Sequence, residues 1–280
     1  MLVVGTGYVG RRYLERQDPG RAIGLSRSPI ASAQASHLLD LDADTHLPLS
    51  LPDSFGILYT TPPAQQRETD VRLERLLGML GRPPARFVYI STTGVYGDCG
   101  GALVDEDQAV NPQSGRARLR VAAEQALESW CGLHDVDLVI LRVPGIYGPG
   151  RLGVERIRAG AANIRESDAN PGNRIHVDDL VRCCEAAMSV VVPAGVYNVG
   201  DGDLRSATWF AGEVARQCGL DAPPTISRTE AEREFSPMRL SFLGESRRIE
   251  TAKMREVLGV TPYYTDAADG IAASLAKDES

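Results

Sequence analysis

The first ten residues, MLVVGTGYVG, constrain this chain more than any other stretch. The apolar run Leu2-Val3-Val4 leads into Gly5, Gly7 and Gly10 at Gly-x-Gly-x-x-Gly spacing, and YVGRRYLERQ continues with helical character up to a break near Pro19-Gly20. Strand, tight turn and helix in that order form a dinucleotide-binding unit. The first glycine makes the turn, the second lets backbone approach a pyrophosphate, and the third lets helix and strand pack closely. The free N–H groups and positive dipole end of the helix then face the phosphates. Nucleotide contacts are therefore expected at Gly5, Thr6, Gly7, Tyr8, Val9 and Gly10.

The second strand, in RAIGLSRSP, ends at Ser26-Arg27-Ser28. An acidic residue about 20 positions past the glycine turn usually holds a ribose 2′-hydroxyl. Arginine in that place suits a 2′-phosphate, so NADP is favoured over NAD. Further strands are expected in SHLLDLDAD, which reaches Asp40 and Leu41, and in FGILYTTPP, which reaches Thr60, Thr61 and Pro62. Two more are expected over Phe87 to Ile90 and over Leu138 to Arg142. Helices are expected at Arg67 to Leu80, at Gly115 to Trp130, and from HVDDLVRCCEAAM to the Val192-Pro193 break, with Asp178 and Asp179 in the favourable first turn. Alternating strands and helices predict an α/β fold, a Rossmann-type doubly wound parallel sheet with ligands at its carboxyl edge. Residues 1–150, with 176–192 returning to them, are assigned to the dinucleotide-binding domain. Residues 151–175 and 193–280 are assigned to a smaller C-terminal substrate lobe.

Composition narrows the function classes. A net charge of -7 without a basic block lacks the footprint of a nucleic-acid binder. No apolar run approaches a membrane span, and the chain starts directly in a strand, so a cytoplasmic protein that does not engage membranes is expected. The five cysteines contain no Cys-x-x-Cys pair and the four histidines are scattered, so no metal site is expected. Only Lys253 and Lys277 are lysines, which leaves 28 arginines among the 30 basic residues.

STTGVYG, VAAEQAL, LRVPGIYGPG, NRIHVDDLV, GVYNVGDG and RRIETAKMREVLG follow the glycine turn in an order that resembles the extended short-chain dehydrogenases/reductases, the group that includes NAD-dependent sugar epimerases and dehydratases. GTGYVG also opens UDP-glucose dehydrogenase-type enzymes, but those are much longer and use a catalytic cysteine in a second domain. The resemblance implies a Ser/Thr at the end of the fifth strand, a tyrosine acid/base and a lysine four residues after it. Thr92 matches the first position, whereas Arg116 and Arg120 stand where the tyrosine and lysine belong. No tyrosine lies between Tyr96 and Tyr147, and no lysine precedes Lys253.

Arg120 can still supply charge and hydrogen bonds to a cofactor ribose, but arginine does not release a proton near neutral pH. Tyr96 and Tyr147 are the neighbouring phenols that could substitute. Pro144 is placed against the nicotinamide, and Arg142 and Tyr147 at the mouth of the site. His176 reads as a structural tie between lobes. Arg151, Arg156, Arg158 and Arg174 are candidate ligands for an anionic substrate. Two functions stay open: an oxidoreductase or epimerase-like enzyme with relocated acid/base chemistry on a small or nucleotide-linked substrate, and a catalytically inactive sensor of NADP(H). A sugar nucleotide, a flavonoid-like ketone and a quinone are not distinguished. The resemblance implies a homodimer, through the helices around 67–80 and 115–130, which carry surplus apolar residues.

Overall fold

The computed structural model describes residues 1–30, 35–64 and 68–278, apart from the side chains of Met238 and Phe242. In chain order the first part is β1 (Leu2–Val4), α1 (Tyr8–Glu15), β2 (Ile23–Ser26), β3 (Ser36–Leu38), β4 (Gly56–Tyr59), α2 (Val71–Met79), β5 (Arg86–Thr92), β6 (Leu103–Val104), α3 (Gly115–His134) and β7 (Asp137–Val143). Then come β8 (Gly145–Tyr147), α4 (Val154–Arg158), β9 (Asn163–Ile164), β10 (Arg174–His176), α5 (Val177–Ala187), β11 (Gly195–Asn198), α6 (Ala207–Gln217), β12 (Thr225–Ile226), α7 (Arg228–Glu234), α8 (Pro237–Leu243), β13 (Arg248–Ile249), α9 (Ala252–Glu256) and α10 (Ala267–Asp278). Arg67, where the second helix was expected to start, lies outside the described residues.

Seven strands form one parallel sheet in the order β11-β7-β5-β4-β1-β2-β3, the predicted Rossmann-type architecture. Its central strands read as unbroken apolar runs because both faces are covered. Alternate side chains divide between the faces. Val3, Leu58, Val88 and Leu141 pack with α1 and α5. Leu2, Ile57, Tyr59, Phe87, Tyr89 and Ile140 pack with α2 and α3. Leu73, Leu76 and Leu127 are buried in that second layer, whereas Leu77, Leu80 and Trp130 of the same region are only partly buried against it.

Two boundaries differ from expectation. β11 joins the large sheet beside β7, and Met254, Leu258 and Val260 enter its core, so the smaller lobe is not the whole of 193–280. Four residues flanked by glycine and proline carry little strand signal; it is the crossover from β7 through α5 that seats them at the sheet edge. Helix α5 ends at Ala187 rather than at Val192-Pro193. The β-branched run Val190-Val191-Val192 disfavours helix, and the buried Arg86 guanidinium donates to the carbonyls of both Ala187 and Val192, at 2.6 Å each. The smaller lobe has its own core, with Leu152, Ile157, Val214 and Ile271.

Candidate functional site

At the carboxyl end of β1 the chain takes the expected glycine turn. Gly5 has φ +94°, a left-handed conformation that favours glycine, and a Cβ there would lie 2.6 Å from Thr61 Oγ1. A Cβ on Gly10 would lie 2.0 Å from the Gly5 carbonyl oxygen, so helix α1 can approach the turn only with glycine at that position. Gly7 is the opposite case. It caps α1, is exposed, and a Cβ would meet nothing within 4 Å. This is a cradle with an open mouth, and the unpaired N–H groups of the first helical turn face that opening.

The turn forms part of a cleft of about 450 Å³. Gly5, Thr6, Gly7, Ser26, Arg27, Ser28, Asp40, Leu41, Thr60, Thr61 and Pro62, dispersed over sixty residues of sequence, all line it. Parallel strands deliver them to one edge. Asp42 and Arg72 line it too, and sequence reasoning singled out neither as a site residue. Val9 and Gly10 are buried in α1 and do not line the cleft. Neither does Tyr8, whose ring is stacked between the guanidinium groups of Arg12 at 4.0 Å and Arg151 at 3.9 Å, and whose hydroxyl donates to the Pro149 carbonyl at 2.9 Å.

The positions tied to proton transfer are arranged differently from expectation. Thr92, half-buried at the end of β5, accepts from the Gly94 N–H at 3.2 Å and so caps a short 3-10 turn; its O–H is still able to donate. Arg120, on α3, donates to Tyr89 Oη at 3.0 Å and to the Ile90 carbonyl at 2.9 Å. Arg116 is exposed in the first turn of the same helix.

Both phenols proposed as substitutes are committed to the core. Tyr96 is buried, donates to Asn198 Oδ1 at 2.7 Å and accepts from Arg142 Nη1 at 3.0 Å. Arg142 in turn is paired with the buried Glu124 at 2.8 Å. Tyr147 lies edge-on to His176 and Phe210 and against Gly270, and its hydroxyl has no partner among the described residues. Burial pushes the pKa of both phenols up. Neither Tyr96 nor Tyr147 lines the cleft at the glycine turn. Lys253 does not replace the missing lysine either, since its ammonium lies over the Tyr197 ring of β11.

The remaining candidates separate by partner. Arg158 pairs with Glu155, and Arg174 is buried against Asp203. His176 is fully buried: its Nδ1 accepts from the Asp178 N–H at 3.1 Å, which leaves Nε2 to donate to Ser274 Oγ at 3.1 Å. That arrangement ties β10 to α10, and burial lowers the imidazole pKa. Arg156 is unlike these. Its Nη2 and the Nη2 of Arg239 both donate to Asn163 Oδ1 at 3.1 Å, Arg239 stacks on Phe235 at 3.4 Å, and neither guanidinium meets a carboxylate among the described residues. Burial and the neighbouring Arg156 charge lower the Arg239 pKa. Arg239 Nη2 also donates to the Ala162 carbonyl at 2.5 Å, so backbone and amide oxygens hold the two guanidinium groups beside each other. Arg239, in SPMRLSFLG, carried no sequence signal for this.

Comparison with known proteins places these features in context. A model of the NAD dependent epimerase/dehydratase family matches residues 59–200. The structure of a functionally unknown conserved protein from Silicibacter pomeroyi DSS superposes with a TM-score of 0.83 at 31% identity, covering 100% of this chain and 99% of that one. A UDP-glucose 4-epimerase of Mycolicibacterium smegmatis is 31% identical over 205 residues, 68% of this chain and 61% of the relative. A UDP-glucuronic acid 4-epimerase from Bacillus cereus, solved with UDP-glucuronic acid and NAD, has the same fold at a TM-score of 0.77 and 18% identity, covering 99% of this chain and 98% of that one.

Proposed function

Since this chain belongs to the NAD dependent epimerase/dehydratase family, we propose that it binds a nicotinamide dinucleotide, NADP ahead of NAD, and acts on an anionic, nucleotide-linked substrate as an oxidoreductase or epimerase-like enzyme. The observation that carries this reading is the glycine cradle opening into a cleft that ends at Arg27. Bound there, the dinucleotide supplies a hydride acceptor or donor. The chain's own residues supply orientation and charge. The N-terminus of α1 receives the pyrophosphate, and Arg27, with Ser26 and Ser28 beside it, receives the 2′-phosphate. Arg120 holds charge near the end of β5, where Thr92 polarises the reacting oxygen by donating a hydrogen bond to it. Arg156 and Arg239 neutralise the phosphates of the substrate, and their planar forks suit phosphate oxygens. With both phenols buried, the proton comes from water or from the substrate itself. A positioned acid/base is typically worth about 100- to 10,000-fold in rate, so slow turnover is expected.

Calorimetric titration with NADP, NADPH, NAD and NADH, on the wild type and on Arg27→Ala, tests the first step. Tight binding of the phosphorylated forms, lost in the variant, supports the reading. Failure of all four to bind refutes it.

A second reading, a sensor that binds NADP(H) and reports it to a protein partner without turnover, draws on the burial of Tyr96 and Tyr147. Partner binding that follows the redox state of the cofactor, with no consumption of it across a panel of nucleotide sugars, would favour the sensor.

A further inference from the structure

Helix α2 grips the far wall of the cleft. Arg72 forms a two-point ion pair with Asp42, Nε to Oδ1 at 2.8 Å and Nη2 to Oδ2 at 2.5 Å, and its Nη1 donates to the Pro62 carbonyl at 3.1 Å. One turn later, Arg75 Nη1 donates to the Leu41 carbonyl at 3.0 Å. Pro62 continues from β4, whereas Leu41 and Asp42 continue from β3. Between these strands, in the order β4-β1-β2-β3, stand β1 with the glycine turn and β2 with Arg27. Strand spacing separates β4 from β3 by roughly 14 Å within the sheet, but the loops that follow them converge on one guanidinium, so the Arg72 side chain ties the loop after β4 to the loop after β3 at the edge of the cleft.

The segment that Arg72 holds is already a closed unit. Asp40 accepts the Asp42 N–H at 2.9 Å, and Asp44 accepts the Asp40 N–H at 2.7 Å. The two arginines of α2 hold this turn from outside. The side chains of Arg72 and Asp42 keep 21% and 41% of their exposure. An ion pair this wet adds little to folding stability. Its geometric consequence is larger than its energetic one, because it sets the distance between two walls that have to enclose one ligand.

We propose that Arg72 and Asp42 form a strut that fixes the width of the cleft, and so are positioning residues for the adenine-bearing half of the dinucleotide, independent of its 2′ substituent. This rests on the dinucleotide reading above and assigns a role distinct from that of Arg27. Arg27 separates phosphorylated from unphosphorylated cofactor; the strut acts on both alike.

The test is calorimetry on the full chain with NADPH, NADH, 2′,5′-ADP and AMP, for wild type, Arg72→Ala, Asp42→Asn and the double variant, with thermal unfolding alongside. All four ligands are expected to bind Arg72→Ala and Asp42→Asn about threefold to fivefold more weakly. The factor should be the same for NADPH and NADH, the double variant no weaker than Arg72→Ala, and the melting temperature nearly unchanged. Tighter binding of NADPH by Asp42→Asn would overturn the proposal, because it would mean that Arg72, once freed, takes the phosphate itself. Unchanged affinities, or losses that add in the double variant, would overturn it as well. A wild-type chain that binds none of the four ligands defeats the dinucleotide reading itself, an outcome distinct from a wild type that binds and variants that do not differ.

Discussion

Replacing Asp201 with asparagine should stabilise the protein above neutral pH and leave it unchanged near pH 4. Asp201 follows β11 and is 5% exposed. Its Oδ1 accepts from the Asp203 N–H at 2.9 Å, while Oδ2 has no partner among the described residues. The nearby Arg174 is engaged by Asp203 and by backbone carbonyls. Burial therefore dominates over the attraction of Arg174 and pushes the Asp201 carboxyl up to about 8. In the unfolded chain the same group titrates near 3.9. Between about pH 4 and 8 the folded state keeps a proton that the unfolded state has released, so stability falls as pH rises through that window and levels off above it. At about 1.36 kcal/mol per unit the ceiling is about 6 kcal/mol.

Asp203 acts in a separate window. Burial opposes its ionisation, but bonds from Arg205 and from the Ala267 N–H more than offset this and hold its carboxyl at about 2. Its stabilisation is complete above about pH 4 and is lost as pH falls towards 2. A difference profile taken above pH 4 therefore isolates Asp201. Asparagine matches the shape of the protonated acid and keeps an oxygen for the Asp203 N–H. Urea unfolding of wild type and Asp201→Asn at intervals from pH 4.5 to 9 should give curves that diverge by several kcal/mol, on the order of 10 °C in melting temperature at the alkaline end. Parallel curves would refute the argument, since they would mean that Asp201 is ionised in the folded protein throughout.

Gly10→Ala should abolish cofactor binding in calorimetry and cost about 1–3 kcal/mol in urea unfolding, because the added methyl meets rigid backbone at the Gly5 carbonyl. Tyr96→Phe should cost about 1–3 kcal/mol by stripping Arg142 and Asn198 of a buried partner, while kcat for any nicotinamide-linked turnover stays within about twofold of wild type, far short of the loss a general acid/base would produce; a collapse of kcat with stability intact would restore Tyr96 to catalysis. Arg239→Ala should raise KM for a nucleotide sugar about tenfold or more with cofactor affinity unchanged, as expected when a phosphate gives up one charge-assisted hydrogen bond. A fall in cofactor affinity instead would detach the Arg156–Arg239 pair from the substrate.

What could be read without a structure was local. The glycine spacing encodes a backbone shape by itself, since a Cβ at Gly5 or Gly10 has no room. Apolar runs such as Leu2 to Val4 and Phe87 to Ile90 announce strands covered on both faces. Arg27 was legible because its distance from the glycine turn is set by one helix and one strand. The absent tyrosine and lysine were visible as plain facts of order. Tertiary structure decided everything that depends on who the neighbour is. Tyr96 is hydrogen-bonded to Asn198 and Arg142, and Tyr147 is enclosed by Phe210 and Gly270, partners up to a hundred or more residues away along the chain. Arg156 and Arg239 meet on Asn163 only because β9 and α8 fold together, and Arg72 reaches Asp42 only because α2 comes to lie beside the loop that follows β3. A side chain's type fixes which bonds it can form. Its burial and its partner, which decide whether an arginine is paired, stacked or solvated, exist only once the chain has closed on itself.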